Sequence, residues 1–481
     1  MAVIETKKPN VAILPGLGMG HITPCLELAK SLVTNHDFQV SFLVIKTNEP
    51  SAAQDQLLGS PTLPDNLNII ELPSVDVFAI TTNDMPILTR ISTILEESLR
   101  SLESVLVGLD NPKALVIDLF CSKAFEVCEQ LAIPVYSFVS LSVSFLAFSL
   151  YFPTLDNEVE GELVDLPRPV QVPGCSPVRT EDLIEPIRNR KIDEYKWFLI
   201  HTSRLPRAVG MFVNSWEGLE PVSIQAIREH SFYKDIPAPS VHPVGPLIKQ
   251  PLIKEKESES LTMSDLKCLT WLDKQPADSV LFVAFGSGGS LTAEQLTELA
   301  WGLELSQQRF LLVARLPNDS NVSSMYFKAG SDVNDPKTYL PPSFLERTQE
   351  LGLVVPSWAP QVMVLRHPST GGFLSHCGWN STLESVFHGQ PMIAWPLFAE
   401  QRMNAAMMEE VVGVAVKPVV ELGKRVVGRE EIERVVRLVM EGEQGRAMRC
   451  KAKELRESAI KALDCGGSSY ESLARVVREW I

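Results

Sequence analysis

The sequence predicts an α/β protein made of two facing Rossmann-like, doubly wound domains, each a mostly parallel sheet covered by helices, with a ligand cleft expected between them. Three observations predict it. At 481 residues the chain exceeds what one hydrophobic core serves, and a prior of roughly 150 residues per domain gives two or three. Short apolar, β-branched runs alternate with helical patterns, and this rhythm stops and restarts once. With 45% of residues hydrophobic and 21% charged, the chain can fill two large cores.

Val11 to Leu14 read as the first strand, followed by the turn "PGLGMGH" and a helix from about Ile22, with Pro24 at its first position. "FQVSFLVI", "KALVIDLF" and "GMFVNSW" are the next strands, with helical patterns between them. "SVHPVGPLIKQPLIKEKESES" breaks the rhythm, so the first domain spans 1–247 and a linker spans 248–265. The second domain, 266–455, contains the strands "SVLFVAFGS", "RFLLVAR", "LGLVVPSW" and "GGFLSH" and the helix "LTAEQLTELAWGLELS". Pro317 to Pro342 interrupts it as a long mobile surface loop. A closing amphipathic helix within 456–481 is expected to pack back on the first domain.

The net charge of −15 repels nucleic-acid phosphates and anionic membranes. The amino terminus lacks an apolar signal region and no run reaches membrane-spanning length, so a cytoplasmic protein not inserted in membranes is expected; it is also expected to be a monomer. The eight cysteines form no C-x-x-C pair, and H-E-x-x-H and D-x-D are absent, so neither a metal nor a resident cofactor is expected.

Two strings carry chemistry. In "HCGWNSTLES", Ser381 and Glu384 match the S/T-x-x-E capping box, which requires no ligand. The cap does not account for Gly378 beside His376, Trp379 and Asn380. A strand passing through a glycine turn into a helix start suits a diphosphate, with His376 donating to it and Glu384 one turn on accepting from ribose hydroxyls. In "PGLGMGH" the G-x-G suggests a dinucleotide turn, but the full G-x-G-x-x-G is missing, which disfavours a nicotinamide dehydrogenase and leaves the glycines bringing the backbone close to something else. His21 after them is either structural or chemical. Asp118 ends a buried strand, where it either caps the next helix or pairs with another group. No G-x-S-x-G elbow offers a hydrolase triad.

From Trp358 to Gln401, "WAPQVMVLRHPSTGGFLSHCGWNSTLESVFHGQPMIAWPLFAEQ" resembles the signature box of plant UDP-sugar-dependent glycosyltransferases of small molecules. First-domain phrases such as "GMGHITP", "PGCSPV" and "VNSWEGLEP" extend the resemblance to enzymes that glucosylate phenylpropanoids and flavonoids. It implies the GT-B fold, with UDP-glucose as co-substrate and a small aromatic acceptor as partner. Trp358 would stack on uracil, Gln361 reach the nucleoside, and Glu384 hold the ribose. His376, Asn380 and Ser381 would take the diphosphate, with Ser287 of "FGSGGS" nearby unless that is a simple turn. Trp379, Glu400 and Gln401 would face the sugar. The family often has Asp at Glu400 and Trp at Leu312; Trp395 is read as core.

The resemblance also implies a His21–Asp118 dyad. His21 would deprotonate the acceptor hydroxyl, which attacks the anomeric carbon opposite the diphosphate and inverts the sugar. Ile94, Phe120 and Phe145 are candidate walls for the acceptor. Turning a polyhydroxylated ring in the pocket would give a C-glucoside instead, and a catalytically silent UDP-sugar-binding protein is the alternative of another class.

Overall fold

Seven parallel strands form the first sheet of the computed structural model, which describes residues 8–49, 51–82, 84–109, 112–236, 239–249, 262–318 and 335–481. They are β1 Asn10–Leu14, β2 Gln39–Val44, β3 Leu67–Glu71, β4 Leu115–Asp118, β5 Val135–Val139, β6 Gly210–Val213 and β7 Ser240–Pro243, in the order β3-β2-β1-β4-β5-β6-β7. β4 and β6 are buried along their whole length, because helices cover both faces of a parallel sheet and no solvent side remains for alternation. Val11, Phe42, Val116, Phe138 and Phe212 meet in its core.

The second sheet has six parallel strands, β8 Val280–Ala284, β9 Arg309–Ala314, β10 Gly352–Pro356, β11 Thr370–Ser375, β12 Met392–Ala394 and β13 Ala415–Val416, in the order β10-β9-β8-β11-β12-β13. Both orders reverse direction beside the first strand of their set, between β1 and β4 and between β8 and β11. Two doubly wound Rossmann-like sheets are therefore present, and each has its own switch point, where such sheets bind ligands at the carboxyl ends of the strands.

The chain forms two compact units, one of Met1–Ile248 with Lys461–Ile481 and the other of Lys249–Ile460. The terminal helix Ser468–Val477 and the 3-10 turn Arg478–Trp480 after it add Val476, Val477 and Trp480 to the core of the first unit, where Trp480 packs edge-on against Phe38 and Tyr136. The expected boundary at 456 falls inside a continuous helix, Glu443–Leu463, so the division lies later, near its end.

Several expectations need correction. Ser240–Pro243, at the head of the stretch read as breaking the βα rhythm, is edge strand β7 of the first sheet; proline is tolerated there because an edge strand need not donate on its outer side. Most of the predicted linker, 250–261, lies outside the described residues, and its last residues already belong to the helix Met263–Leu272. That helix starts with a true capping box, Thr262 with Asp265. Of the predicted loop 317–342, residues 319–334 lie outside the described residues, and Pro336–Thr338 form a turn of 3-10 helix. The helix after β1 begins at Met19, so Pro24 sits in its second turn and His21 lies within the helix, not on the turn before it. Among the described residues, no helix is long and apolar enough to cross a membrane.

Candidate functional site

At the first switch point, His21 is the third residue of the helix after β1 and Asp118 is the last residue of β4. The two strands are neighbours, which brings together side chains 97 positions apart: His21 Nδ1 lies 2.8 Å from Asp118 Oδ2. Asp118 is fully buried, while the His21 side chain keeps 14% of its surface. Asp118 Oδ1 also accepts from the Phe120 backbone N–H at 3.0 Å, so this aspartate both caps the next segment and pairs with the imidazole. A carboxylate can only accept, so the proton rests on Nδ1 and Nε2 is the basic nitrogen.

The glycine turn makes this pairing possible. A Cβ on Gly16 would stand 2.7 Å from Asp118 Oδ1 and 3.5 Å from His21 Cβ. What the "PGLGMGH" backbone approaches is therefore the buried aspartate.

The three proposed acceptor walls divide. Phe120 is partly exposed and sets its ring edge against His21, with centroids 5.5 Å apart. Ile94 and Phe145 are 1% and 3% exposed, and Phe145 packs on Phe198, so in this structure both are core and do not line an open surface. Their helices turn those faces inward because apolar area is more stable out of water. Sequence reasoning missed His201, which lies buried between the hydroxyls of Ser92 and Ser122, each at 2.9 Å, and also packs on Phe120, with ring centroids 5.4 Å apart. Burial, with the Arg204 charge second, pushes its pKa down to about 3, so it stays neutral.

At the second switch point, the opening of the helix Trp379–Phe387 differs from the predicted capping box. Gly378 is the N-cap and no side chain caps the helix, so Ser381 is its third residue and Glu384 lies a turn beyond. Both bind Gln361 instead: its Nε2 donates to Ser381 Oγ at 2.9 Å and to Glu384 Oε2 at 2.6 Å. With no side-chain cap, the helix start presents the positive end of its dipole, where an anion is favoured.

Glu384 is 8% exposed, and burial pushes its pKa up to about 7 against the lowering effects of the Gln361 hydrogen bond and the Lys249 charge. For an acid whose folded pKa is raised, the stability contribution falls as pH rises from the unfolded value near 4.5 through 7. The carboxylate is a stronger acceptor for ribose hydroxyls than the neutral acid. Uridine affinity is therefore expected to rise, by up to about tenfold, between pH 6 and pH 8, while Glu384→Gln gives weaker, pH-independent binding; calorimetry at both pH values checks this.

His376 follows β11. A Cβ on Gly286 or on Gly378 would stand 2.5 Å from its Nε2, so two glycines make room for the ring. Its Nδ1 is buried with no hydrogen-bond partner among the described residues. Burial first, then the Arg315 charge, pushes its pKa down to about 4, leaving a neutral imidazole. Ser287 and Asn380 are partly exposed, one in the loop after β8 and the other as the second residue of the Trp379 helix. Trp379 itself is 2% exposed, so what it can offer a ligand is its backbone N–H at the helix start; its ring is packed inside.

Trp358, just after β10, is 51% exposed, an unusual surface for an indole and a suitable one for stacking. Glu400 is the N-cap of the helix Gln401–Ala406. Gln401 turns its amide oxygen to the backbone N–H groups of Leu397 and Phe398, at 2.8 and 3.0 Å, so its –NH2 is the end left to act as a donor. Sequence reasoning missed Asn404, whose Nδ2 links the Cys377 carbonyl at 3.0 Å to Glu400 Oε1 at 3.3 Å. It also missed Arg315, which donates to carbonyls of the "FGSGGS" loop. The available signal was a charge closing a buried strand, as at Asp118. Leu312 and Trp395 are core residues. Among the described residues, no three His, Cys, Asp or Glu side chains group as a metal site.

Residues 257–464 match the family described as UDP-glucoronosyl and UDP-glucosyl transferase. UDP-glycosyltransferase 72B1 of Arabidopsis thaliana is 46% identical, over 99% of this chain and 97% of its own length. Anthocyanidin 3-O-glucosyltransferase 5 of Manihot esculenta is 41% identical over 98% and 96%. The solved structure of Phytolacca americana UGT2 complexed with UDP-2fluoro-glucose and pterostilbene superposes with a TM-score of 0.86 at 40% identity, covering 98% of this chain and 99% of that one. With near-complete coverage at this identity, and with two sheets of the same GT-B architecture, the chain belongs to the UDP-glucoronosyl and UDP-glucosyl transferase family.

Proposed function

We propose that this glycosyltransferase moves glucose from UDP-glucose to a hydroxyl of a small phenol of the flavonoid or phenylpropanoid type, with inversion and without a metal. The observation that carries the reading is the His21–Asp118 pair at 2.8 Å, in a chain whose second sheet presents the donor box. An ordered dyad is what a transferase needs and what a silent sugar-nucleotide binder has no use for. The anthocyanidin named for one relative and the pterostilbene bound to another are both flat aromatic phenols, which favours an acceptor of that class here.

In this reaction His21 Nε2 takes the acceptor proton while Asp118 holds the imidazole in the required tautomer and stabilises the cation that forms. The acceptor oxygen forms a bond to the anomeric carbon as the bond from that carbon to the β-phosphate oxygen breaks, and UDP leaves with the electron pair. Charge grows on the diphosphate, where the first-turn N–H groups of the Trp379 helix, Asn380 and Ser381 are preorganised donors. Glu384 and Gln361 hold the ribose and Trp358 stacks on uracil, while Glu400 and the –NH2 of Gln401 face the sugar.

The test is incubation of the protein, with EDTA present, with UDP-glucose and a panel containing an anthocyanidin, a flavonol, a stilbene and hydroquinone. UDP release with a product heavier by one hexose is the expected result; no UDP release from any acceptor would overturn the reading. Cleavage of that product by a glucosidase marks an O-glucoside, and resistance to it and to acid marks a C-glucoside.

A further inference from the structure

We propose that Arg315 is a positioning residue for departure of the diphosphate: it shapes the loop after β8 into an anion-binding turn and sets a positive charge behind it. This rests on the donor reading above. Arg315 follows the last residue of β9, next to β8 in the sheet. Its Nη1 donates to three carbonyls of one loop, those of Gly286 at 3.2 Å, Ser287 at 2.6 Å and Gly289 at 3.2 Å.

Three carbonyl oxygens converge here on a nitrogen carrying two hydrogens. Such an arrangement is repulsive unless a cation stands at its centre. In a trans peptide the N–H points opposite to the preceding C=O, so gathering these carbonyls turns the N–H groups of Ser287, Gly288 and Ser290 away from the guanidinium. Successive N–H groups turned to one side of a turn make a concave anion site. Gly286 presents its Cα side to His376, the residue read as a phosphate donor, and its φ of 72° is a left-handed conformation that a glycine adopts freely. The hydroxyl of Ser290 ties the same loop to the Leu316 carbonyl at 2.6 Å.

A charge fixed behind the N–H groups opposes the negative charge that grows as UDP leaves, a role a metal ion plays in other transferases. It also helps to keep His376 neutral. Lysine would keep the charge but lose the planar fork.

The test compares UDP with uridine, binding each to the wild type, Arg315→Gln and Arg315→Lys. We expect the Gln variant to lose about tenfold or more in UDP affinity with uridine affinity within about twofold, and to lower kcat more than the KM for the acceptor. The Lys variant should fall between. Equal losses for UDP and uridine, or no loss for either, would overturn the proposal by showing a scaffold role only. If the wild type binds uridine as tightly as UDP, the donor reading fails instead. Should a variant not fold, the Arg315 side-chain nitrogen resonances of the wild type decide: they should shift on adding UDP and stay in place on adding uridine, and a shift equal for both would refute the role.

Discussion

Replacing His21 with alanine is expected to lower turnover of phenolic acceptors by about 10²- to 10⁴-fold, the usual contribution of a positioned general base. UDP affinity should stay within about twofold, because every residue read as holding UDP belongs to the second unit. A phenol with a pKa near 10 is almost wholly protonated at pH 7, so without a base the nucleophile is scarce. The loss should therefore shrink as pH rises toward 10, where solution ionises the acceptor. A pH profile of kcat/KM for both proteins checks this. Near-normal turnover in His21→Ala at pH 7 would refute the base assignment, and a loss unchanged up to pH 10 would show that His21 acts by packing. Asp118→Asn should also be severe, since the amide can present an N–H where Nδ1–H needs an acceptor.

Gly286→Ala is the second large effect. The new Cβ would stand 2.5 Å from two atoms of the His376 ring, in a backbone whose φ is 72°. The ring has little room to yield, because it also lies close to the Gly378 backbone, where a Cβ would stand 2.5 Å from Nε2. We expect UDP affinity to fall by more than about tenfold and stability to drop by about 1–3 kcal/mol, measured by calorimetry and by denaturant unfolding. Gly413→Ala separates the two causes. Its φ of 75° is equally strained, but nothing lies within 4 Å of the added carbon. That variant should lose about 1 kcal/mol of stability and keep UDP affinity. If both variants bind UDP like the wild type, the loop after β8 does not shape the donor site.

β1, β2, β4, β6 and β8 to β11 were legible in the sequence as short apolar runs, which a parallel strand buried on both faces favours. β3, β5, β7, β12 and β13 were not: β7, β12 and β13 are two to four residues long and held by their neighbours, β3 is a partly exposed edge strand, and Ser137 interrupts the apolar run of β5. The false capping box has a similar origin. S-x-x-E occurs at Ser381 and Glu384, but the helix starts two residues earlier, and Gln361, 20 positions away from Ser381, claims both side chains. The real box, Thr262 with Asp265, lay in a stretch whose composition read as linker.

By itself the sequence determined the class of the protein, two doubly wound α/β domains, and the family, because apolar period and motif register are properties of consecutive residues. Which residues pair was decided by the tertiary structure. The neighbouring of β1 and β4 joined His21 to Asp118 and gave Gly16 its reason. The neighbouring of β8 and β9 brought Arg315 to the loop at Gly286. Burial then set Glu384 near neutrality and withdrew Ile94, Phe145 and the Trp379 ring from solvent. Hydrogen bonding and desolvation depend on atoms brought close by the fold from distant parts of the chain, and neither has a local signature in the sequence.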